Sequence, residues 1–271
     1  YVYAIDLTNN SILWAKNYGI PFRSNLKFAN NQIFLANQDN VLLSINSGTG
    51  EKNWQFATSS NLIKTDFQNN LALDIIRDNI FFLNTSGELY SFNYLTQKIN
   101  WVLNFKNASL PGDTELFFSQ PIVIKNDNLI ISTEKNILSY SSQTAVKNWS
   151  FLAEPIFKPI VTSNNTYVVL KNHLLICLDN TDGNVVWSKN ILKNLESEKI
   201  IDNLNSIVDF KMINNEINIF VKKGHILSFN PNNGNLSSLR RLNKSGIKSE
   251  IFFINNKMLF VDSKNKLLEF D

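Results

Sequence analysis

Five tryptophans punctuate this chain in a single phase. Trp14, Trp54, Trp101, Trp149 and Trp187 each close a phrase made of an apolar strand, a polar turn and a second run. The phrases read YVYAID-LTNNS-ILW, LLSIN-SGTGEKN-W, LYSFN-YLTQKIN-W, ILSYS-SQTAVKN-W and LICLD-NTDGNVV-W. A sixth, ILSFN-PNNGNLS-S, carries Ser238 in place of the indole, and a seventh, LLEFD, ends the chain. A period of roughly forty to fifty residues is the signature of a solenoid, propeller or array, in which each unit leans on its neighbours.

Each period divides into short apolar runs rich in Ile, Leu, Val, Phe and Tyr, separated by tight polar turns. In the second period Asn25–Ala29, Gln32–Ala36, Val41–Asn46 and Lys52–Phe56 read as four strands. No window sustains a helical period with caps. Evenly spaced strands with one aromatic phrase per four-stranded unit predict an all-β fold, a β-propeller of antiparallel blades. The expected boundaries are a partial blade at 1–17, full blades near 22–57, 67–105, 118–152, 156–191 and 206–241, and a partial blade at 247–271. All form one domain of six to seven blades within a ring of seven or eight, with an N-terminal portion lying upstream of Tyr1.

The tryptophans are expected to dock each blade on the next, a flat ring burying ~150–250 Å². Four places before the indole the turn calls for a positive φ. Gly50, Gly183 and Gly234 meet that requirement and Asn10 can. Gln97 and Ala145 do not, so those two turns are expected to differ.

The remaining composition mostly excludes. A net charge of +3, with scattered Lys, gives no case for nucleic acid. The one cysteine, Cys177, sits inside an apolar strand and rules out an intrachain disulfide. It reads as a small buried side chain. No apolar run reaches membrane-span length. His173 and His225 have no motif partner and read as turn or surface residues. No phosphate loop, HExxH, GxSxG or CxxC occurs. Asp66, Asp74 and Asp78 could line a central channel, but their spacing makes no tuned pair. Asn is over-used, and triplets such as Asn84-Thr85-Ser86 and Asn107-Ala108-Ser109 read mostly as composition. Residues 192–207 carry apolar residues at near-helical spacing and fit a short helix or a long polar loop.

The phrase [LIVY]-Y-x-[LIF]-[DN]-x-x-x-G-x-x-x-W resembles the PQQ-like, or tryptophan-docking, propeller repeat along essentially the whole chain. Within that superfamily the chain is most similar to the BamB family of outer-membrane β-barrel assembly factors. That family also ends on the third strand of its last blade and lacks the penultimate tryptophan. The resemblance implies a non-enzymatic periplasmic scaffold with no cofactor and no metal. It would be held at the inner face of the outer membrane by a lipid anchor upstream of this chain. Its partners would be a BamA-like assembly protein and unfolded β-barrel clients. By position in the repeat, Leu62, Ile63 and Lys64 fall where the family carries an apolar–basic docking loop. Asp113 and Glu115 fall in the second partner-facing insertion, with Phe117 and Phe118 near its expected acidic places. Two alternatives share the repeat. One is a quinoprotein dehydrogenase, against which stand the missing Cys-Cys pair and acidic Ca²⁺ cluster. The other is a luminal unfolded-protein sensor, for which the N-x-S/T triplets would be glycosylation sites.

Overall fold

The computed structural model describes residues 1–59, 68–106, 116–193 and 206–270. Among these residues the regular structure is β throughout, with no α-helix. Two compact units are present, one of residues 1–134 and 140–147, the other of 135–139 and 148–271. Every sheet is antiparallel and consecutive in chain order. This is the meander expected when short strands are joined by tight turns.

The first unit opens with a two-stranded sheet, β1 (Val2–Asp6) and β2 (Ser11–Lys16). Two four-stranded sheets follow. One holds β3 (Lys27–Ala29), β4 (Gln32–Ala36), β5 (Val41–Asn46) and β6 (Lys52–Ala57). The other holds β7 (Asn70–Asp74), β8 (Asn79–Leu83), β9 (Glu88–Asn93) and β10 (Lys98–Asn104). The sheet of β11 (Val123–Lys125), β12 (Asn128–Ser132), β13 (Asn136–Ser141) and β14 (Lys147–Leu152) contributes strands to both units. The second unit continues with β15 (Ile160–Val161), β16 (Asn165–Val169), β17 (Leu174–Asp179) and β18 (Val185–Asn190). Next come β19 (Ile207–Ile213), β20 (Glu216–Val221), β21 (His225–Phe229) and β22 (Leu236–Arg241). A three-stranded sheet closes the order, with β23 (Phe252–Ile254), β24 (Lys257–Val261) and β25 (Leu267–Phe270). Repeated four-stranded meanders of this kind make the fold a β-propeller.

Burial explains the order of the strands. The second and third strands of the full sheets hold much of the core, as in β8, where Ile80, Phe81, Phe82 and Leu83 are buried, and β5, where Leu42, Leu43, Ser44 and Ile45 are. The fourth strand alternates, as in β18, and one row of side chains faces water. The cores are therefore layers of apolar side chains between neighbouring sheets. In the first unit Phe34, Leu42, Leu71, Ile80, Phe82 and Phe92 pack together. In the second, Tyr167, Leu175, Cys177, Phe210, Ile219 and Leu227 do so.

The tryptophan phrase has a concrete geometry. The Asp, Asn or Ser that ends the third strand turns its side-chain oxygen back on the turn. Asp179 Oδ1 accepts the Thr181 N–H at 2.7 Å and Asn46 Oδ1 accepts the Gly48 N–H at 2.9 Å. The Thr181 side chain, and after it the Thr181 N–H, hold the Asp179 carboxyl below its usual range. The backbone closes with Gly183 N–H to Asp179 O at 2.9 Å, and equivalent bonds from Gly50 and Gly234. These glycines have φ of 70°, 75° and 69° at positions 50, 183 and 234. The indole from the preceding sheet lies flat on this turn. A Cβ on Gly50 would meet the Trp14 ring at 2.5 Å, and one on Gly183 the Trp149 ring at 2.7 Å. The ring N–H then donates to the carbonyl that follows the capping residue. Trp14 bonds Ser47 O at 2.9 Å, Trp101 Ser142 O at 3.0 Å, Trp149 Asn180 O at 2.8 Å and Trp187 Pro231 O at 2.9 Å. Trp54 packs instead among rings, 5.2 Å from Phe92 and 6.0 Å from Phe34 between centroids.

Two expectations are corrected here. Gln97 and Ala145 do not make different turns: they take φ of 56° and 60°, the same left-handed conformation as the glycines. Ala145 N–H bonds Ser141 O at 3.0 Å as its glycine counterparts do. At Ala145 the turn's hydrogen bonds and the Trp101 indole bonded to Ser142 O outweigh the ~1–2 kcal/mol cost of a left-handed side-chain-bearing residue. Nor is the Asn excess only compositional. Ten of the fourteen described non-glycine residues at positive φ are Asn, including the turn pairs Asn30-Asn31, Asn214-Asn215 and Asn255-Asn256. Asn tolerates that region best among residues with a side chain.

Gly183→Ala should therefore lower unfolding free energy by about 1–3 kcal/mol, because strain and the Trp149 ring both oppose the new methyl. Ala145→Gly should leave stability unchanged or raise it by up to about 1 kcal/mol. Urea titrations of both variants check this; equal losses would contradict the docking geometry.

Candidate partner-binding surface

Leu62, Ile63, Lys64, Asp113 and Glu115 lie outside the described residues, as does most of the 192–207 stretch. What the structure does place is the root of each candidate segment. The flanks of both are hydrogen-bonded to one hairpin, Asn84 to Glu88, between β8 and β9. The segment at 60–67 leaves from Ser59. Ser59 Oγ donates to Glu88 Oε1 at 2.8 Å, and its carbonyl accepts from Asn40 Nδ2 at 2.9 Å and Ser86 Oγ at 3.3 Å. It returns at Asn69, which is fully buried. There Nδ2 donates to Asn37 O at 2.8 Å and Oδ1 accepts the Thr85 N–H at 3.1 Å.

The segment at 107–115 leaves from the other side of the same hairpin. Phe105 N–H bonds Gly87 O at 2.8 Å, and on the return Phe117 N–H bonds Thr85 O at 2.9 Å. The Phe105 and Phe117 rings stack 5.7 Å apart, and Tyr140 meets Phe105 edge-on at 5.7 Å. Gly87, at φ 81°, admits the Phe117 ring where a Cβ would approach it to 3.2 Å. Phe117 is thus half-buried as a clasp at the base of its segment.

Glu88 is the node, and sequence reading missed it. Besides Ser59, its carboxylate accepts Asn84 Nδ2 at 2.8 Å and Tyr90 Oη at 3.0 Å. Burial and the bond to Glu88 push Tyr90 up to about 12. Burial and the bond to Asp78 do the same to Tyr94. Asn84 is 1% exposed and also bonds Thr58 Oγ1 at 2.9 Å, so its amide is not open to glycan transfer. That removes one support of the luminal-sensor alternative.

The remaining candidates are structural. Asp74 ends β7 and pairs with Arg77 at 2.8 Å, and Asp78, in the turn that follows, accepts from Tyr94 at 2.8 Å. Asp66 lies outside the described residues. Cys177 is buried, and burial raises its thiol to about 11, so it is inert. His173 occupies the β16–β17 turn at φ 68°, and His225 begins β21. Among the described residues no group of three or more His, Cys, Asp or Glu could hold a metal ion. Nor, among them, is any helix long and apolar enough to cross a membrane.

A meander of four-stranded sheets, docked by indoles on left-handed turns, defines the class: a tryptophan-docked β-propeller. A family model described as the outer membrane protein assembly factor BamB matches residues 1–189, and the chain belongs to that family. The BamB of Shewanella oneidensis is 21% identical over 186 residues, covering 65% of this chain and 45% of that protein. The chain thus spans less than half of that relative's length. The crystal structure of BamB from Moraxella catarrhalis superposes with a TM-score of 0.74 at 12% identity, covering 98% of this chain and 77% of that one. A quinohemoprotein alcohol dehydrogenase from Pseudomonas putida has a TM-score of 0.57 at 9% identity over 81% of this chain and 42% of its own. That likeness is one of fold alone.

Glu88→Ala should lower stability by about 1–3 kcal/mol by leaving buried donors unpaired, and should speed proteolytic cleavage near Ser59. Tyr90 and Tyr94 titrate above the ordinary phenol value of 10.0 when folded. Their contribution is therefore complete below pH ~10 and lost as pH rises from about 10 towards 12. Denaturation midpoints across that window should fall less steeply in Tyr90→Phe.

Proposed function

We propose that this chain is a non-enzymatic scaffold of outer-membrane β-barrel assembly. It acts in the periplasm at the inner face of the outer membrane, through a lipid anchor on sequence upstream. Segments 60–67 and 107–115 dock it on a BamA-like partner, Leu62 and Ile63 supplying apolar contact, Lys64 a cation, and Asp113 and Glu115 carboxylates. The observation that carries this reading is the common root of the two segments on the Asn84–Glu88 hairpin, tied by Ser59, Glu88, Thr85 and Gly87. Two partner-facing segments anchored to one rigid turn can present apolar, basic and acidic groups together. Family membership supplies the biological setting.

The role follows from rigidity. A scaffold whose segment roots are already held by a satisfied hydrogen-bond network pays no ordering entropy at those roots on docking. Unfolded barrel clients would then be concentrated near the assembly protein by tethering.

Ile63→Asp or Lys64→Glu should reduce co-purification with the BamA-like partner by tenfold or more, and Asp113→Lys with Glu115→Lys should do the same at low salt. Unchanged co-purification in all of these variants would overturn the docking assignment. Stoichiometric uptake of quinone with Ca²⁺ would favour a dehydrogenase instead.

A further inference from the structure

In several docking turns the residue before the left-handed position does one job: its side-chain oxygen accepts the N–H two places on. Asn9 Oδ1 accepts from Ser11 at 2.9 Å, Thr49 Oγ1 from Glu51 at 3.2 Å, Asp182 Oδ1 from Asn184 at 2.9 Å and Asn233 Oδ1 from Asn235 at 2.9 Å. Asn, Asp and Thr all make that bond. At position 233 the choice of Asn has a chemical consequence, because a glycine follows. Asn233-Gly234 is the one Asn-Gly pair in the chain. Without a Cβ, glycine leaves its backbone nitrogen open to the side-chain amide that precedes it.

The folded turn keeps that nitrogen occupied. Gly234 N–H donates to Asn230 O at 2.8 Å, and Asn230 N–H donates in turn to Asn235 O at 2.9 Å. The Trp187 ring lies on Gly234, where a Cβ would meet it at 2.5 Å, and its N–H holds Pro231 O at 2.9 Å. Asn233 itself is exposed, so water and hydroxide reach its amide. One dipeptide thus joins an accessible amide to a sequestered nitrogen, and the docked indole clamps the turn that sequesters it.

We propose that Asn233 is a modification site, where isoaspartate forms spontaneously under the control of the Trp187 contact. When the indole lifts, the Gly234 nitrogen loses its bond to Asn230 O. Hydroxide removes its proton and the nitrogen attacks Asn233 Cγ. The N–Cγ bond forms, the Cγ–Nδ2 bond breaks, and ammonia leaves with a proton from water, which returns the hydroxide. Water then opens the cyclic imide at either carbonyl, giving aspartate or isoaspartate. The two products differ in consequence. Aspartate is what Asp182 already is in the equivalent turn beneath Trp149, so it restores both the cap and the docking. Isoaspartate adds a methylene to the backbone immediately before Gly234. The glycine is displaced from the place the ring requires, and the contact between the β15–β18 and β19–β22 sheets does not re-form. A transient opening is thereby written into the chain as a lasting covalent change.

The test incubates the intact chain in mildly alkaline buffer and follows the tryptic peptide 224–240 by mass spectrometry, with electron-transfer fragmentation to tell isoaspartate from aspartate. Deamidation at Asn233 should run about tenfold or more slower in the folded chain than in the same chain in guanidinium chloride, because it waits on local opening. Trp187→Phe keeps a ring over Gly234 but loses the bond to Pro231 O, and Trp187→Ala loses both. The rate should rise in that order. Asn233→Asp should melt with the wild type, and the isoaspartyl fraction, isolated by chromatography, should melt several degrees lower. Equal rates in the folded and unfolded chain would overturn the proposal. So would an unchanged rate in the tryptophan variants, with Trp187→Phe alone deciding if Trp187→Ala does not fold. An isoaspartyl fraction that melts with Asn233→Asp would overturn it too.

Discussion

A tryptophan lying on a left-handed turn is the contact on which the rest of this structure depends. A four-stranded meander has two apolar faces and cannot bury both alone. The indole joins one meander to the next through face and edge together. Its face covers the turn at Gly50, Gly183 or Gly234, and its N–H satisfies the carbonyl of Ser47, Asn180 or Pro231. Burial alone would let the sheets slide. The hydrogen bond fixes where along the turn the ring must sit, and so fixes the register between sheets. A β-bulge immediately before the indole, seen as register shifts opposite Ser44–Ile45 and Cys177–Leu178, re-aims the side chain towards its turn.

Beneath that shared contact the filling of each gap is free to vary, and the two units use this differently. The first packs Phe56, Tyr90 and Phe92 into a dense aromatic layer. The same layer brings Tyr90 to Glu88, and Glu88 to Ser59. The hairpin that roots both candidate docking segments is therefore held by the core rather than by the segments themselves. The second unit keeps the indole contact at Trp149 and packs aliphatic side chains below it, with Val168, Ile176 and Leu178 buried.

Much of this was legible in the residues, for a physical reason. Strand alternation and turn chemistry are local, so Gln32–Ala36 and Val41–Asn46 form with the bounds their pattern implies. The tryptophan phase was legible because one ring repeats at one place in each unit. Local conformation at Gln97 and Ala145 was not legible. Their left-handed backbone is imposed by the turn's hydrogen bonds and overrides residue preference. Nor was the role of the Asn preceding the indole in each K-N-W or I-N-W run. Asn53, Asn100 and Asn148 each donate across the sheet to a buried serine, Ser44, Ser91 or Ser139, at 3.1–3.2 Å. The signal was present as a repeated Asn paired with a repeated Ser, but Asn is so common here that the pairing hid in composition. Glu88 was missed because its partners Ser59 and Asn84 come together only once the sheets are docked.

Hydrogen exchange measured residue by residue in Trp149→Ala tests the central claim most directly. The indole does not belong to the sheet it stabilises, so the account predicts that protection falls at Gly183, Asn184 and along β17 and β18, on the far side of the contact. Loss confined to β14 and its ladder partner, with the 179–184 turn as protected as before, would contradict it.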